Sequence, residues 1–285
     1  MQKKTVFMVG MPYSGKTTYL VSLCRLLILG EQETVWKLDE DDMPGGIEKI
    51  KDLISQLESY RRVDSTLTSV FYDIQFPLSN KQQRILYVVP DLSGEIFCNL
   101  VYDRRINRTI LKRMEDAETL LFFVNTDTMI PETRLGVQEI SAIKKVDEEH
   151  GGTEIKNSDQ AEETEQLWEK RNNQSAVVEL LQCIVYLVKH SLNIKFIVSA
   201  WDLVEKKYGG QMPSPEEYVK KMFPLLHQYV FSNPRISYEY WGVSAQGGDF
   251  EDERELLKLQ GKNESVLAYI VDPNMDISKD LTKLL

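Results

Sequence analysis

The segment GMPYSGKT at residues 10–17 constrains this chain more than any other feature. It carries the required glycines, lysine and threonine at every fixed position of the pattern GxxxxGK[ST]. A short apolar run, TVFMV at residues 5–9, precedes it, and a segment with helical apolar spacing begins at residue 17. In this strand–loop–helix context the pattern forms a phosphate-binding loop. We therefore expect an α/β domain built around a phosphate site.

The loop offers both main-chain and side-chain groups to a polyphosphate. Gly10 and Gly15 allow the backbone to turn successive N–H groups toward an anion, and the following helix N-terminus favours negative charge. Lys16 is expected to reach the β- and γ-phosphates, and the Thr17 hydroxyl to bind Mg²⁺. A glycine-rich turn with an exposed lysine is the alternative. The predicted nucleotide-binding residues of the loop are Gly10, Tyr13, Ser14, Gly15, Lys16, Thr17 and Thr18.

Composition excludes several other classes of protein. The 285 residues are 42% hydrophobic and 27% charged, which is enough apolar material for a buried core. The formal net charge of -10 argues against a direct nucleic-acid binder, although it permits a local anion site. The three cysteines and three histidines lack metal-ligand spacing. No stretch resembles a secretory signal or a transmembrane segment, so a cytoplasmic location is expected.

Strand and helix patterns alternate along the chain. The predicted strands cover residues 5–9, 68–76, 83–89, 120–124, 194–198 and 236–243. One predicted helix begins at residue 17, and four others cover about 47–60, 95–115, 175–190 and 215–231. This order predicts a P-loop three-layer α/β sandwich with a six-stranded, mostly parallel sheet and one antiparallel edge strand.

One stretch does not fit that alternation. Between about residues 128 and 173 no strand pattern is found, and residues 144–171 are rich in charge. A loop of this length is either a functional segment or a disordered insert. We interpret residues 1–285 as a single domain with a polar, flexible insertion at about 128–173.

A second carboxylate follows the second hairpin strand, in the segment PDLSGE at residues 90–95. Asp91 at the C-terminal tip of an apolar strand is a candidate ligand of Mg²⁺. Gly94 can present its backbone N–H to a γ-phosphate without a side chain in the way. A surface turn with an N-capping aspartate is the alternative.

The segment before the first hairpin strand contains further candidates. Thr66 and Thr68 could sense Mg²⁺, and Thr66 precedes the alternating run more cleanly. Arg61 and Arg62 could reach the phosphates as an arginine finger supplied in cis. A solvated arginine pair at a helix end is the alternative for those two residues.

Four separated motifs, GKTTYL, PDLSGE, SAWD and VSAQGG, occur in this order along the chain. Together they resemble the Ras-like GTPases of the translation-factor-related (TRAFAC) class, and more narrowly the bacterial double-GTPase family of conflict and defence systems. The resemblance implies a guanine-nucleotide switch that binds GTP, GDP and Mg²⁺, hydrolyses GTP slowly and acts on a protein partner. Lys16, Gly94 and Glu95 would be its catalytic residues, with Glu95 where Ras-like GTPases usually carry a water-orienting glutamine. An ordinary role for Glu95 in a first helical turn is the alternative.

The resemblance implies that the last two motifs, SAWD and VSAQGG, bind the base of the nucleotide. Asp202 would accept hydrogen bonds from the ring N–H and the exocyclic amine of guanine, and the Ser244–Ala245 turn would give a backbone N–H to its O6. Ser199 and Ala200 replace the asparagine and lysine usual at this point. Trp201 is then expected either to stack on the nucleotide or to pack inside. A P-loop ATPase or small-molecule kinase, and a nucleotide-binding scaffold with negligible turnover, are the alternative functions.

Overall fold

A computed structural model describes residues 2–30, 32–39, 44–46, 48, 51–63, 72–80, 82–91, 94–126, 174–261 and 267–285. The predicted Mg²⁺-sensing candidates Thr66 and Thr68 lie outside these ranges, and so does the predicted insertion at about 128–173. The single-domain interpretation of residues 1–285 therefore stays a prediction.

The described residues form one nine-stranded sheet in the order β2-β3-β4-β1-β5-β6-β7-β8-β9. Its strands are β1 (Gln2–Val9), β2 (Lys37–Leu38), β3 (Tyr72–Ser79), β4 (Arg84–Asp91), β5 (Thr119–Asn125), β6 (Leu192–Ser199), β7 (Ile236–Ser244), β8 (Tyr269–Val271) and β9 (Ile277–Ser278). Strands β4, β1, β5, β6 and β7 are parallel, and β3 pairs antiparallel with β4. The predicted six strands and their mostly parallel arrangement are confirmed.

The prediction that the antiparallel strand lies at the edge of the sheet is wrong. The short strand β2 pairs antiparallel with β3 and covers its outer side, while β8 and β9 extend the sheet beyond β7. Each of these extra strands has only two or three residues. Such lengths carry no alternating pattern that a sequence could display.

The helices of the described chain surround this sheet. They are α1 (Lys16–Leu29), α2 (Lys51–Glu58), α3 (Gly94–Tyr102), α4 (Arg108–Glu115), α5 (Gln174–Leu187), α6 (Trp201–Tyr208), α7 (Pro215–Met222), α8 (Pro224–Ser232) and α9 (Glu253–Gln260). Two predicted helices are each divided in two. The helix predicted at 95–115 breaks where Arg104 adopts a φ of 55° and Asn107 caps the next helix. The helix predicted at 215–231 breaks before Pro224, whose ring removes an N–H and clashes with the preceding turn.

The core lies in two layers, one on each face of the sheet. Successive strand residues point to opposite faces, so Phe122 of β5 belongs to one apolar cluster and Phe123 to the other. The first cluster packs against α3 to α8, and the second against α1 and the C-terminal residues Leu281 and Leu284. The loop after β1 is therefore supported by packed layers on both sides. Among the described residues, no helix combines the length and apolarity needed to cross a bilayer.

Candidate nucleotide-binding site

The loop between β1 and α1 has a backbone that glycine alone can adopt at two positions. Gly10 has a φ of 156° and Gly15 a φ of 89°. A Cβ on Gly10 would lie 2.5 Å from Ser14 Oγ and 2.9 Å from the carbonyl oxygen of Phe123. Because that carbonyl belongs to a central strand and cannot yield, residue 10 must be glycine for the loop to close in this shape.

Lys16 is buried within the curve of this loop, with only 5% of its surface exposed. Its ammonium donates to the carbonyl oxygens of Gly10 at 2.8 Å and Met11 at 2.9 Å, and to Ser14 Oγ at 3.1 Å. These three acceptors orient the ammonium inside the loop. The sequence pattern predicts that this group contacts the β- and γ-phosphates of a bound nucleotide.

The first turn of α1 complements this lysine. It contains no acidic residue, so its N–H groups and the helix dipole favour an anion without local competition. Thr17 and Thr18 lie in this turn and line a cleft that extends from the phosphate loop.

The residues present fit a Mg²⁺ ion that arrives with a nucleotide. Thr17, whose hydroxyl is a neutral oxygen ligand, lies in the first turn of α1 and lines the cleft, and Asp91 ends β4, although the Asp91 side chain lies outside the described part. Within the described ranges no cluster of three or more His, Cys, Asp or Glu side chains could hold a metal by itself. Mg²⁺ commonly uses one or two protein ligands together with substrate phosphates, so no such cluster is required.

Asp202 marks the other end of the site. It lies in the first turn of α6, and the Ser244 hydroxyl donates to Asp202 Oδ1 at 2.7 Å. The backbone N–H of Gly247 in turn donates to Ser244 Oγ at 3.1 Å. Burial raises the pKa of Asp202, and the Ser244 hydrogen bond partly opposes that shift. Ser244 is itself fully buried, so its hydroxyl positions Asp202 and does not face the cleft.

Two polar side chains connect the phosphate end with the Asp202 end. Ser199 and Asn125 are register partners at the C-terminal ends of β6 and β5. The Ser199 hydroxyl donates to the carbonyl oxygen of Ser14 at 2.9 Å and lies 3.2 Å from that of Val124. Asn125 Nδ2 donates to the carbonyl oxygen of Tyr13 at 2.7 Å. Sequence reasoning missed Asn125, although its polar side chain at the end of an apolar strand was an available signal.

Trp201 does not face the cleft. Its side chain is completely buried and packs edge-on against Tyr218, with ring centroids 5.6 Å apart. A Cβ on Gly242 would lie 2.4 Å from the Trp201 ring, so the strand backbone itself packs against the indole. The prediction that Trp201 stacks on a nucleotide is therefore wrong, and the alternative that it packs inside is correct.

A cleft of about 550 Å³ brings most of the predicted residues together. Its lining includes Tyr13, Ser14, Gly15, Lys16, Thr17, Thr18, Gly94, Glu95, Ser199, Asp202 and Ala245. Gly94 touches the phosphate loop, since a Cβ there would lie 2.4 Å from the nitrogen of Pro12. Glu95 is exposed in the first turn of α3 beside it.

The segment that follows α2 also borders this cleft. Arg62 pairs with Glu251 at 3.5 Å, and Tyr60 contacts Phe250 edge-on with centroids 5.6 Å apart. Both partners belong to the loop after β7, near the Asp202 end. No local pattern predicts this contact, because Phe250 and Glu251 lie about 190 residues from their partners along the chain.

Comparison with protein families shows which family the chain belongs to. The profile of the family described as Double-GTPase 1 matches residues 7–285. The chain belongs to the Double-GTPase 1 family. This double-GTPase is thus a Ras-like P-loop GTPase, as its four motifs predicted.

Three solved structures are similar to the double-GTPase at low identity. The GDP-bound Roco2 RocCORdC structure of Methanosarcina barkeri is 10% identical with a TM-score of 0.32, covering 94% of this chain and 52% of that one. The Arl6 BBS3 small GTPase from Trypanosoma brucei with bound GppNp is 10% identical with a TM-score of 0.33, covering 92% of this chain and 100% of that one.

The third structure is the signal recognition particle receptor SRb-GTP/SRX complex from Chaetomium thermophilum. It is 9% identical with a TM-score of 0.40, and the match covers 86% of this chain and 92% of that one. The double-GTPase thus spans about half the length of the Roco2 chain. A search of curated protein sequences finds no significant match.

Proposed function

We propose that this double-GTPase is a molecular switch that binds GTP with Mg²⁺ and hydrolyses it to GDP and phosphate. The observation that carries the proposal is the cleft with the Lys16 ammonium at one end and the Ser244-oriented Asp202 carboxylate at the other. One end suits a polyphosphate and the other suits a base with paired hydrogen-bond donors. A guanosine polyphosphate has both parts.

The phosphate end provides positive charge in three forms. These are the buried Lys16 ammonium, the N–H groups of the loop and the first turn of α1. Thr17 and Asp91 are the residues that would hold Mg²⁺, and Thr66 would join them from the segment before β3. When bound, Mg²⁺ supplies further neutralisation of charge on the phosphate oxygens. This local concentration explains how a chain with a net charge of -10 can hold a polyanion.

The base end provides a selective acceptor. An ionised Asp202 accepts hydrogen bonds from both the ring N–H and the exocyclic amine of guanine, whereas adenine does not present that pair of donors. The Ser244 hydroxyl fixes the carboxylate, so little freedom is lost when the base binds. Ala245 lines the same cleft, and its backbone N–H would serve the O6 of the base.

Hydrolysis would proceed by in-line attack of water on the γ-phosphorus. A bond forms from the water oxygen to phosphorus, the bond to the β–γ bridging oxygen breaks, and GDP leaves with that electron pair while the water proton passes to the phosphate product or to solvent. Lys16 and the loop amides stabilise the developing charge. Gly94 would donate its N–H to the γ-phosphate, and Glu95 would orient the water.

A nucleotide-binding scaffold with negligible turnover is the second candidate. The observation in its favour is that an exposed glutamate, Glu95, lines the cleft next to the phosphate loop. A carboxylate repels a phosphate oxygen, whereas the glutamine usual in Ras-like GTPases does not. A GTPase of this kind would suit a cytoplasmic switch that presents the segments around Thr66 and Gly94 to a protein partner. We place that switch in a bacterial conflict or defence system, the setting that the family resemblance implies.

Phosphate release under single-turnover conditions separates the two candidates. GTP with Mg²⁺ is mixed with excess protein, and inorganic phosphate is measured for the native chain, Lys16→Ala and Lys258→Ala. Lys258 is an exposed lysine of α9 outside the cleft and serves as the matched control. The proposal expects release by the native chain and by Lys258→Ala, with a loss of at least about a hundredfold in Lys16→Ala. Equal rates in the native chain and Lys16→Ala would support the scaffold.

A further inference from the structure

Tyr13 presents an aromatic ring to the nucleotide cleft. It is 60% exposed, lines the cleft and has a φ of 60°, a left-handed backbone conformation that is uncommon for a tyrosine. A large apolar side chain that remains this exposed, on a backbone that costs free energy to adopt, is a candidate for a ligand contact. The role is separate from that of the Tyr13 backbone N–H in the phosphate loop.

The position of Tyr13 is fixed by its neighbours. Asn125 Nδ2 donates to the carbonyl oxygen of Tyr13 at 2.7 Å, and the Ser199 hydroxyl donates to that of Ser14 at 2.9 Å. The loop is thus attached at two consecutive carbonyl groups to the ends of β5 and β6. These attachments place Tyr13 beside the segment SAWD, which ends in Asp202 and borders the same cleft.

The base end has no other aromatic or long aliphatic cover within SAWD. Ala200 has a side chain of one carbon where Ras-like GTPases usually carry a lysine, and the Trp201 ring is buried on the opposite side against Tyr218. Asp202 binds only the edge of a base, so its hydrogen bonds leave the flat faces of the nucleoside uncovered.

We propose that the Tyr13 ring packs on the nucleoside and supplies the cover that Ala200 and Trp201 do not. The inference rests on the proposed function, because it assumes that the cleft holds a guanine nucleotide. Stacking of an aromatic side chain on a base stabilises the complex and is tolerant of base identity, because every base has an apolar face. Tyr13 would therefore contribute affinity, while Asp202 would contribute the choice of base.

The test compares a ligand that has a nucleoside with one that lacks it. Calorimetric titrations with GDP and with inorganic tripolyphosphate, both with Mg²⁺, are carried out on the native chain, Tyr13→Ala and Tyr13→Phe. Alanine keeps a Cβ and hence a similar backbone preference, whereas phenylalanine keeps the ring. Tyr186→Ala, which removes a still more exposed tyrosine of α5, is the control.

We expect Tyr13→Ala to raise the Kd for GDP by about tenfold or more. The Kd for tripolyphosphate should change by less than about twofold. The ratio of GDP affinity to ADP affinity should also change by less than about twofold. Tyr13→Phe should recover most of the lost GDP affinity. An unchanged Kd for GDP in Tyr13→Ala, or an equal loss for tripolyphosphate, would overturn the inference.

The outcomes also separate this inference from the proposed function. If the native chain binds tripolyphosphate but no guanine nucleotide, the proposed function fails, and the role of Tyr13 fails with it. If the native chain binds GDP tightly and Tyr13→Ala binds it equally well, the inference about Tyr13 alone is contradicted.

Discussion

The hydroxyl of Ser199 donates a hydrogen bond of 2.9 Å to the carbonyl oxygen of Ser14. This contact joins the end of β6, which leads into Asp202, to the loop that contains Lys16. The two ends of the nucleotide cleft are therefore held at a fixed separation by the sheet. Serine performs this attachment at the position where Ras-like GTPases usually carry asparagine.

Removing the Ser199–Ser14 hydrogen bond should lower both the stability of the fold and the affinity for GDP. We expect Ser199→Ala to lower the free energy of unfolding by about 1 kcal/mol, because a buried carbonyl group loses its donor. The Kd for GDP should rise by a similar free energy, roughly fivefold. Calorimetry and thermal melting measure the two effects, with the exposed Ser237→Ala as the matched control. An unchanged GDP affinity in Ser199→Ala would contradict this role.

Asp202 should determine the choice of base. In Asp202→Asn the side chain offers a donor where guanine also has donors, so GTP binding should weaken by about 2 kcal/mol, roughly thirtyfold. Xanthosine triphosphate, which presents an acceptor at the same position, should become the preferred ligand. Competition titrations with the two nucleotides measure the ratio. Unchanged GTP affinity would remove Asp202 from the base site.

The buried position of Asp202 also predicts a pH dependence. Desolvation raises the pKa of this carboxyl, and only the ionised form can accept both donors of guanine. GDP affinity should therefore be full above the raised pKa and fall as the pH drops through it. In the nucleotide-free protein the sign is opposite, because a raised carboxyl pKa favours the fold at low pH and this contribution is lost as the pH rises.

Titrations of GDP from about pH 8 down to about pH 4, close to the ordinary pKa of an aspartate, test this dependence. Asp202→Asn is the control, since its side chain does not ionise and its weaker binding should lack the acid-dependent loss. Parallel curves for the two proteins would show that another group causes the loss.

Arg62 should have little effect on hydrolysis. Its guanidinium pairs with Glu251 in the loop after β7, near the base end, and both side chains are exposed. We expect Arg62→Ala to change the rate of phosphate release by less than about threefold, whereas loss of a cis arginine finger would reduce it by about a thousandfold. Arg254→Ala, which removes an exposed arginine of α9, is the matched control.

The sequence predicted the framework of the site because long apolar strands and the phosphate-loop pattern carry strong local signals. It correctly placed Lys16 and Asp202 at strand ends that meet in one cleft. It could not decide the direction of the Trp201 side chain, which depends on packing against Tyr218 and Gly242 from distant segments. The break between α3 and α4 was equally hidden, because the left-handed turn at Arg104 involves no glycine. The break before Pro224 was readable from the sequence.

Nucleotide titration with and without Mg²⁺ decides whether this chain is a guanine-nucleotide switch. The experiment is an isothermal titration of three proteins, namely the native chain, Lys16→Ala and Lys258→Ala. Each is titrated with GTP, GDP and ATP, with and without Mg²⁺. The series measures the dependence of affinity on Lys16, on the base and on the metal. We expect the native chain and Lys258→Ala to bind GTP in a Mg²⁺-dependent manner and to prefer it clearly over ATP. Lys16→Ala should show a severe loss of GTP affinity. Equal affinity for ATP and GTP, or no Mg²⁺-dependent binding of either guanine nucleotide, would contradict the proposed function.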